Sequence, residues 1–171
     1  MLLNPLSAYA SESDYVDVAS EEGVVTDGYL QDGYYDDVIG VEKFVAPIEI
    51  SNQKDKSTRA SASADVSFYI HYNNTRGLWL SVLIDVTPHD RACLIESVSG
   101  TWYYRNISEA ANRSDIFYNP VYIDRWAVNT EYDIGFKYSS GTQIWAKVKA
   151  SAKLREGYIP TFSRVAIATI P

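Results

Sequence analysis

The sequence predicts an all-β domain of antiparallel strands arranged as a two-sheet β-sandwich. Apolar residues recur at every second position through most of the chain beyond residue 63. Turn residues separate these runs, and aromatics make up 13% of the chain, with 14 Tyr and 4 Trp. A period of two puts successive side chains on opposite faces of a pleated strand, a surface that suits β-branched and aromatic residues. Strands at intervals of roughly 10 to 15 residues, with no βαβ rhythm, favour sheet packed on sheet. Jelly-roll and immunoglobulin-like topologies both fit the pattern, and a small closed barrel is the alternative.

The elements follow in order. Val41 to Ile50 (VEKFVAPIEI) reads as a first strand interrupted at Pro47, which has no N–H for a ladder and so marks an edge. A polar connector, SNQKDKSTRASAS, comes next. In Ala64 to Tyr72 the even positions Ala64, Val66, Phe68, Ile70 and Tyr72 are apolar, whereas Asp65, Ser67, Tyr69 and His71 face the other way. Asn73 to Gly77 forms the turn, and Leu78, Leu80, Val82, Ile84 and Val86 continue the core face, which predicts a hairpin. Strands are expected at Ala92 to Val98 and Thr101 to Arg105, with Ser99-Gly100 as a bulge or kink between them. ISEAANRSD predicts a single helical turn capped by Ser108. Alternation resumes over Val121 to Val128, Asp133 to Tyr138 and Gln143 to Leu154, and Phe162 to Ile170 closes the sheet.

The 171 residues suffice for one core, taken as a single sandwich domain over 41–171. Charge is unevenly spread. The formal net charge is −7, but ten of the 22 acids (Glu12, Asp14, Asp17, Glu21, Glu22, Asp27, Asp32, Asp36, Asp37 and Glu42) fall within residues 11 to 42, which hold no Lys or Arg. The remaining 12 acids face all 15 bases, so an acidic leader over 11–40 precedes a mildly basic domain. Its TDGYLQDGYYDD run repeats the Asp-Gly turn signal but lacks the spacing of a calcium loop. Nucleic acid is not an expected partner, because a phosphate backbone demands a larger cationic surplus. No apolar run approaches the roughly 18 residues of a membrane span.

Residues 1–10, MLLNPLSAYA, end in the small-x-small triplet Ala8-Tyr9-Ala10 after an apolar stretch, as in the latter part of a secretory signal. Export to the cell surface or the medium is the expectation. The lone Cys93 forms no internal disulfide, and such usage suits a bacterial exported domain.

Catalytic and metal motifs are absent. The two histidines are His71 and His89, and no H-x-H, H-E-x-x-H or C-x-x-C occurs. A small secreted hydrolase using His89 with Asp90 or Cys93 is the competing enzyme class, and a structural envelope component is a third. No cofactor is implied. The asparagines Asn73, Asn106 and Asn112 head N-x-S/T triplets, which matter only in a eukaryotic secretory route.

The aromatics offer the better lead. Trp79 is out of phase with Leu78, Leu80 and Val82, and should emerge beside Ser81 and Leu83 on the polar face that also carries Tyr69 and His71. Trp145 is out of phase with Ile144, Ala146 and Val148, and shares its face with Lys147 and Lys149. A large apolar ring on a solvated face implies a cover. That cover is the chain itself, a glycan stacked on the indole, or a protein partner. Trp79, Trp145, Lys147, Lys149, Tyr69 and His71 are therefore the predicted binding residues, whereas Trp102, Tyr103, Tyr104 and Trp126 are assigned to the core and its rim.

Overall fold

The computed structural model describes residues 36–50, 62–107, 113–121 and 125–171. The expectations for the signal remnant, for the capping by Ser108 and for most of the acidic leader fall outside these residues. Nine strands make up the described fold: β1 (Val38–Pro47), β2 (Glu49–Ile50), β3 (Ser63–Asn73), β4 (Gly77–Thr87), β5 (Ile95–Asn106), β6 (Arg113–Pro120), β7 (Ala127–Asp133), β8 (Gln143–Leu154) and β9 (Gly157–Thr169). They form two antiparallel sheets, of order β1-β3-β4-β7 and β2-β9-β8-β5-β6, packed as a sandwich and not closed into a barrel.

Pro47 ends β1 opposite Ser63, and the chain then changes sheets, with β2 pairing on β9. The missing N–H stops the first ladder where the strand must leave it. The β3–β4 hairpin forms in the expected register, Ala64 against Val86 through Asn73 against Gly77. Gly77 turns the corner at φ +86°, and a Cβ there would meet the Phe136 carbonyl at 2.8 Å. A short 3-10 turn, Arg91–Cys93, precedes β5 and is capped by the Asp90 carboxylate, which accepts from the Ala92 N–H.

Three expectations are corrected. Ser99-Gly100 is no kink, because β5 runs through it and the register shift lies between Ile95 and Ser97. Gly100 is required by close approach instead, since a Cβ there would stand 2.2 Å from the Lys149 carbonyl oxygen of β8. Residues 113–115 of the supposed helical turn belong to strand β6, where Ile116, Phe117 and Tyr118 place apolar groups on both faces and mask the period of two. The strands expected at 121–128 and 133–138 merge into one shorter strand, β7, which stops before Gly135 at φ +69°.

The inner faces meet around Trp102, which is fully buried and stacks near Phe117 (4.7 Å between ring centroids), Phe68 (6.2 Å) and Tyr132 (6.3 Å). The even-numbered residues of β3, β4 and β8 supply most of the remaining core. On one flank β1 packs on β9, with Phe44 edge-on to Phe162 at 5.2 Å and a Gly40 Cβ position 3.0 Å from the Ala168 Cβ.

Candidate functional site

The predicted site residues divide between the two outer faces of the sandwich. Tyr69, His71 and Trp79 lie on the outer side of the four-stranded sheet, where His71 is the cross-strand partner of Trp79 and Tyr69 that of Ser81. Trp145, Lys147 and Lys149 lie on β8, on the outer side of the five-stranded sheet. Parity assigned each side chain correctly away from the core. No single face carries all of them, so a shared ligand face for Trp79, Trp145, Lys147 and Lys149 is excluded.

The first group is buried. Trp79 is 4% exposed, Tyr69 2%, His71 0%, Ser81 0% and Leu83 7%, so the expectation of a protruding Trp79 is corrected. Its indole lies 4.8 Å from the His71 ring at an interplanar angle of 6°, with the Arg76 guanidinium 4.4 Å from the ring centroid. Arg76 is anchored in turn by Glu131 at 2.9 Å and Asp133 at 3.4 Å. His71 Nε2 and the Ser81 hydroxyl are hydrogen-bonded at 2.8 Å. Burial, with a smaller contribution from Arg76, lowers the His71 pKa to about 3, so the ring is neutral at physiological pH. A neutral imidazole stacked on indole under a paired arginine consolidates a packed layer, and leaves no free ring for a ligand.

The residues of the hydrolase reading are also occupied structurally. Cys93 is 1% exposed and belongs to the main core cluster. Asp90 caps the 3-10 turn, and its backbone carbonyl accepts from Trp126 Nε1 at 3.0 Å. His89 stacks on Trp126 at 5.0 Å and stands 3.8 Å from Asp85, with its pKa lowered by desolvation. Among the described residues no group of three or more His, Cys, Asp or Glu gathers to hold a metal. No helix among them is long and apolar enough to cross a membrane.

The second group is accessible, and the pairing of strands shows what surrounds it. Trp145 on β8 pairs with Ile167 of β9 and Arg105 of β5, Lys147 with Val165 and Tyr103, and Lys149 with Ser163 and Thr101. On β6, Ser114 faces Tyr103 and Ile116 faces Thr101. None of these outward residues is a carboxylate. The Arg105 guanidinium sits 5.5 Å from the centroid of the Trp145 ring, and the Lys147 ammonium 5.3 Å from that of Tyr103. Each cation therefore rests on an aromatic face from the neighbouring strand. Tyr103 and Arg105, which the sequence reading left out of the site, belong to it. The signal was their parity against the core residues Trp102 and Tyr104.

The fold and this face define an antiparallel β-sandwich with one aromatic and basic outer sheet surface. A scan against protein-family models finds no match, and searches of the curated proteins and of the solved structures find none either.

Proposed function

We infer that the chain is an exported, non-catalytic binding module that presents the outer face of its five-stranded sheet to an anionic glycan. The observation that supports the reading is the cross-strand block of Trp145, Arg105, Lys147, Tyr103 and Lys149, with no carboxylate among its outward strand partners in the described residues. The flat side of a sugar ring presents C–H bonds that lie on an indole or phenol ring much as a base lies on an aromatic platform. Guanidinium and ammonium groups beside the rings pair with carboxylate or sulfate substituents. Alternating rings and cations along neighbouring strands suit a repeating polymer that carries both features. An acidic protein surface is the second reading, favoured by the exposure of Ile116 (72%), Ile167 (60%) and Val165 (42%) around the block. Export, expected from the Ala8-Tyr9-Ala10 triplet, is part of the same proposal.

Isothermal titration calorimetry with polygalacturonate and a sulfated polysaccharide, set against neutral dextran and polyglutamate, tests it. Acidic polysaccharides should bind, and added salt should weaken the binding because exposed charges are screened over about 8 Å at physiological ionic strength. Trp145→Ala should abolish the heat signal, and Lys147→Ala with Lys149→Ala should weaken affinity by about tenfold or more. An absence of binding to every acidic polysaccharide, or binding that these variants leave untouched, overturns the glycan reading. Tighter binding of polyglutamate would transfer the face to an acidic protein.

A further inference from the structure

Beyond Lys149 the outer face of the five-stranded sheet is hollowed by a groove. The cause lies in two pairing irregularities flanking one stretch of β8. On the β9 side the register shifts between Ala150 and Ala152, whose partners are Phe162 and Ile159, so β9 carries an extra residue at Pro160-Thr161. On the β5 side it shifts between Ile95 and Ser97, whose partners are Leu154 and Lys153. A bulge bends its strand and redirects side chains, and proline at such a point removes a ladder donor that the partner strand would otherwise use. Two bulges on either side of Ser151 to Lys153 open a groove of about 370 Å³. This volume is at the small end of the roughly 300–1,000 Å³ typical of ligand clefts.

The lining differs in chemistry from the adjacent basic block. Ser97, Ser99, Ser151 and Thr161 supply hydroxyl groups, and Glu49, Lys153 and Tyr158 stand at the rim. The rim's polar groups are already matched: Lys153 Nζ lies 2.5 Å from Glu96, and the Tyr158 hydroxyl donates to Glu49. Two exposed rings stand at this end of the face, Tyr158 (45% exposed) opposite Lys153, and Tyr118 (62% exposed) opposite Ser99. A hydroxyl-lined groove with flanking phenol rings has donors and acceptors for a polyol. Glu96 balances Lys153, and the Glu49 carboxylate, held by the neutral Tyr158 hydroxyl, leaves one negative charge at the rim that disfavours an acidic unit there.

We propose that this groove is a subsite for one uncharged sugar residue. Its hydroxyls exchange hydrogen bonds with Ser99, Ser151 and Thr161, and a C–H face of the ring lies against Tyr158. The subsite is continuous with the basic block, because Lys149 and Ser151 are consecutive outward residues of β8, about 7 Å apart along the strand. The ligand class is thereby narrowed to a glycan that combines acidic units with a neutral unit. This rests on the glycan reading of the same sheet face, and the test separates the two.

Amide chemical-shift mapping on the full chain, with glucose, galactose, mannose and N-acetylglucosamine titrated singly to 50 mM (about the range that weak single-sugar contacts require), reads the groove without any polyanion. Saturable shifts at Ser99, Ser151 and Thr161 are expected with at least one sugar. Ser151→Phe fills the groove from an outward position and should remove them, while polygalacturonate affinity changes less than about twofold. Absence of saturable shifts with all four sugars, shifts centred elsewhere, or shifts that persist in Ser151→Phe would overturn the proposal, and the wild-type mapping decides even if that variant does not fold. Groove shifts in a protein that ignores polygalacturonate would uphold the subsite and remove the anionic-glycan reading instead.

Discussion

The two outer faces of this sandwich carry the same sequence signature and have opposite fates. Trp79 and Trp145 each sit out of phase with a run of core residues, and each has an arginine over its ring, Arg76 at 4.4 Å and Arg105 at 5.5 Å. On the four-stranded sheet, Trp79 is stacked on a neutral, fully buried His71, and the arginine is tied to Glu131 and Asp133. On the five-stranded sheet, Trp145 stays accessible among Lys147, Lys149 and exposed aliphatic residues, and none of its outward strand partners among the described residues is a carboxylate. Alternation tells which way a ring points. Whether that side is wet depends on what packs over it.

Truncating each indole should separate the two faces by the largest margin. Trp79→Ala removes a buried ring and should lower unfolding free energy by about 3–5 kcal/mol, read as a shift of the urea midpoint. Trp145→Ala removes a half-exposed ring, and its cost should remain below about 1 kcal/mol. Equal losses would mean that both faces are packed alike.

The next largest effect concerns His71. Its folded pKa of about 3 lies below the unfolded value of 6.5, so the unfolded chain binds the extra proton first as pH falls. The stability is fully present above pH 6.5 and declines progressively from there down to about 3. Between pH 7 and pH 4.5 this group alone should cost about 2–3 kcal/mol. Urea midpoints for wild type and His71→Gln across that interval check it: the variant's profile should be flatter by that amount. A parallel profile would mean that the ring is accessible to protons in the folded state, as the second face is to solvent.

Within the five-stranded sheet, a smaller effect separates its rigid ladder from its open surface. Gly100→Ala places a Cβ against the Lys149 carbonyl, and should cost about 1–3 kcal/mol in thermal or urea unfolding through overpacking. By contrast, Lys147→Ala combined with Lys149→Ala should alter stability by less than about 0.5 kcal/mol. Circular dichroism melts would show the difference directly, and a large loss in the lysine variant would make that face structural instead of receptive.

Much of the fold was legible because alternation reports burial locally. The β3–β4 hairpin and β8 were readable residue by residue, since one face of each is consistently apolar. Strand β6 escaped because Ile116, Phe117 and Tyr118 are all large and apolar, which erases the contrast between faces. Strand β7 was misplaced because Ile134 joins the core from outside any strand. For the candidate site, Trp145, Lys147 and Lys149 were visible on β8 alone. Tyr103 and Arg105 required knowledge of which strand lies beside it, and the groove required the register shifts on both of its flanks.

The all-β class, the direction in which each tryptophan points, and the separation of acidic and basic charge along the chain can all be read from the residues in order. These are local properties, carried by period-two spacing and composition. That Trp79 and Trp145 belong to different sheets, that one is packed away, and that two bulges hollow out a hydroxyl-lined groove beside the other emerges from the folded arrangement alone. Sheet membership, cover and register arise from contacts between residues far apart in the chain, and no stretch of sequence encodes them alone.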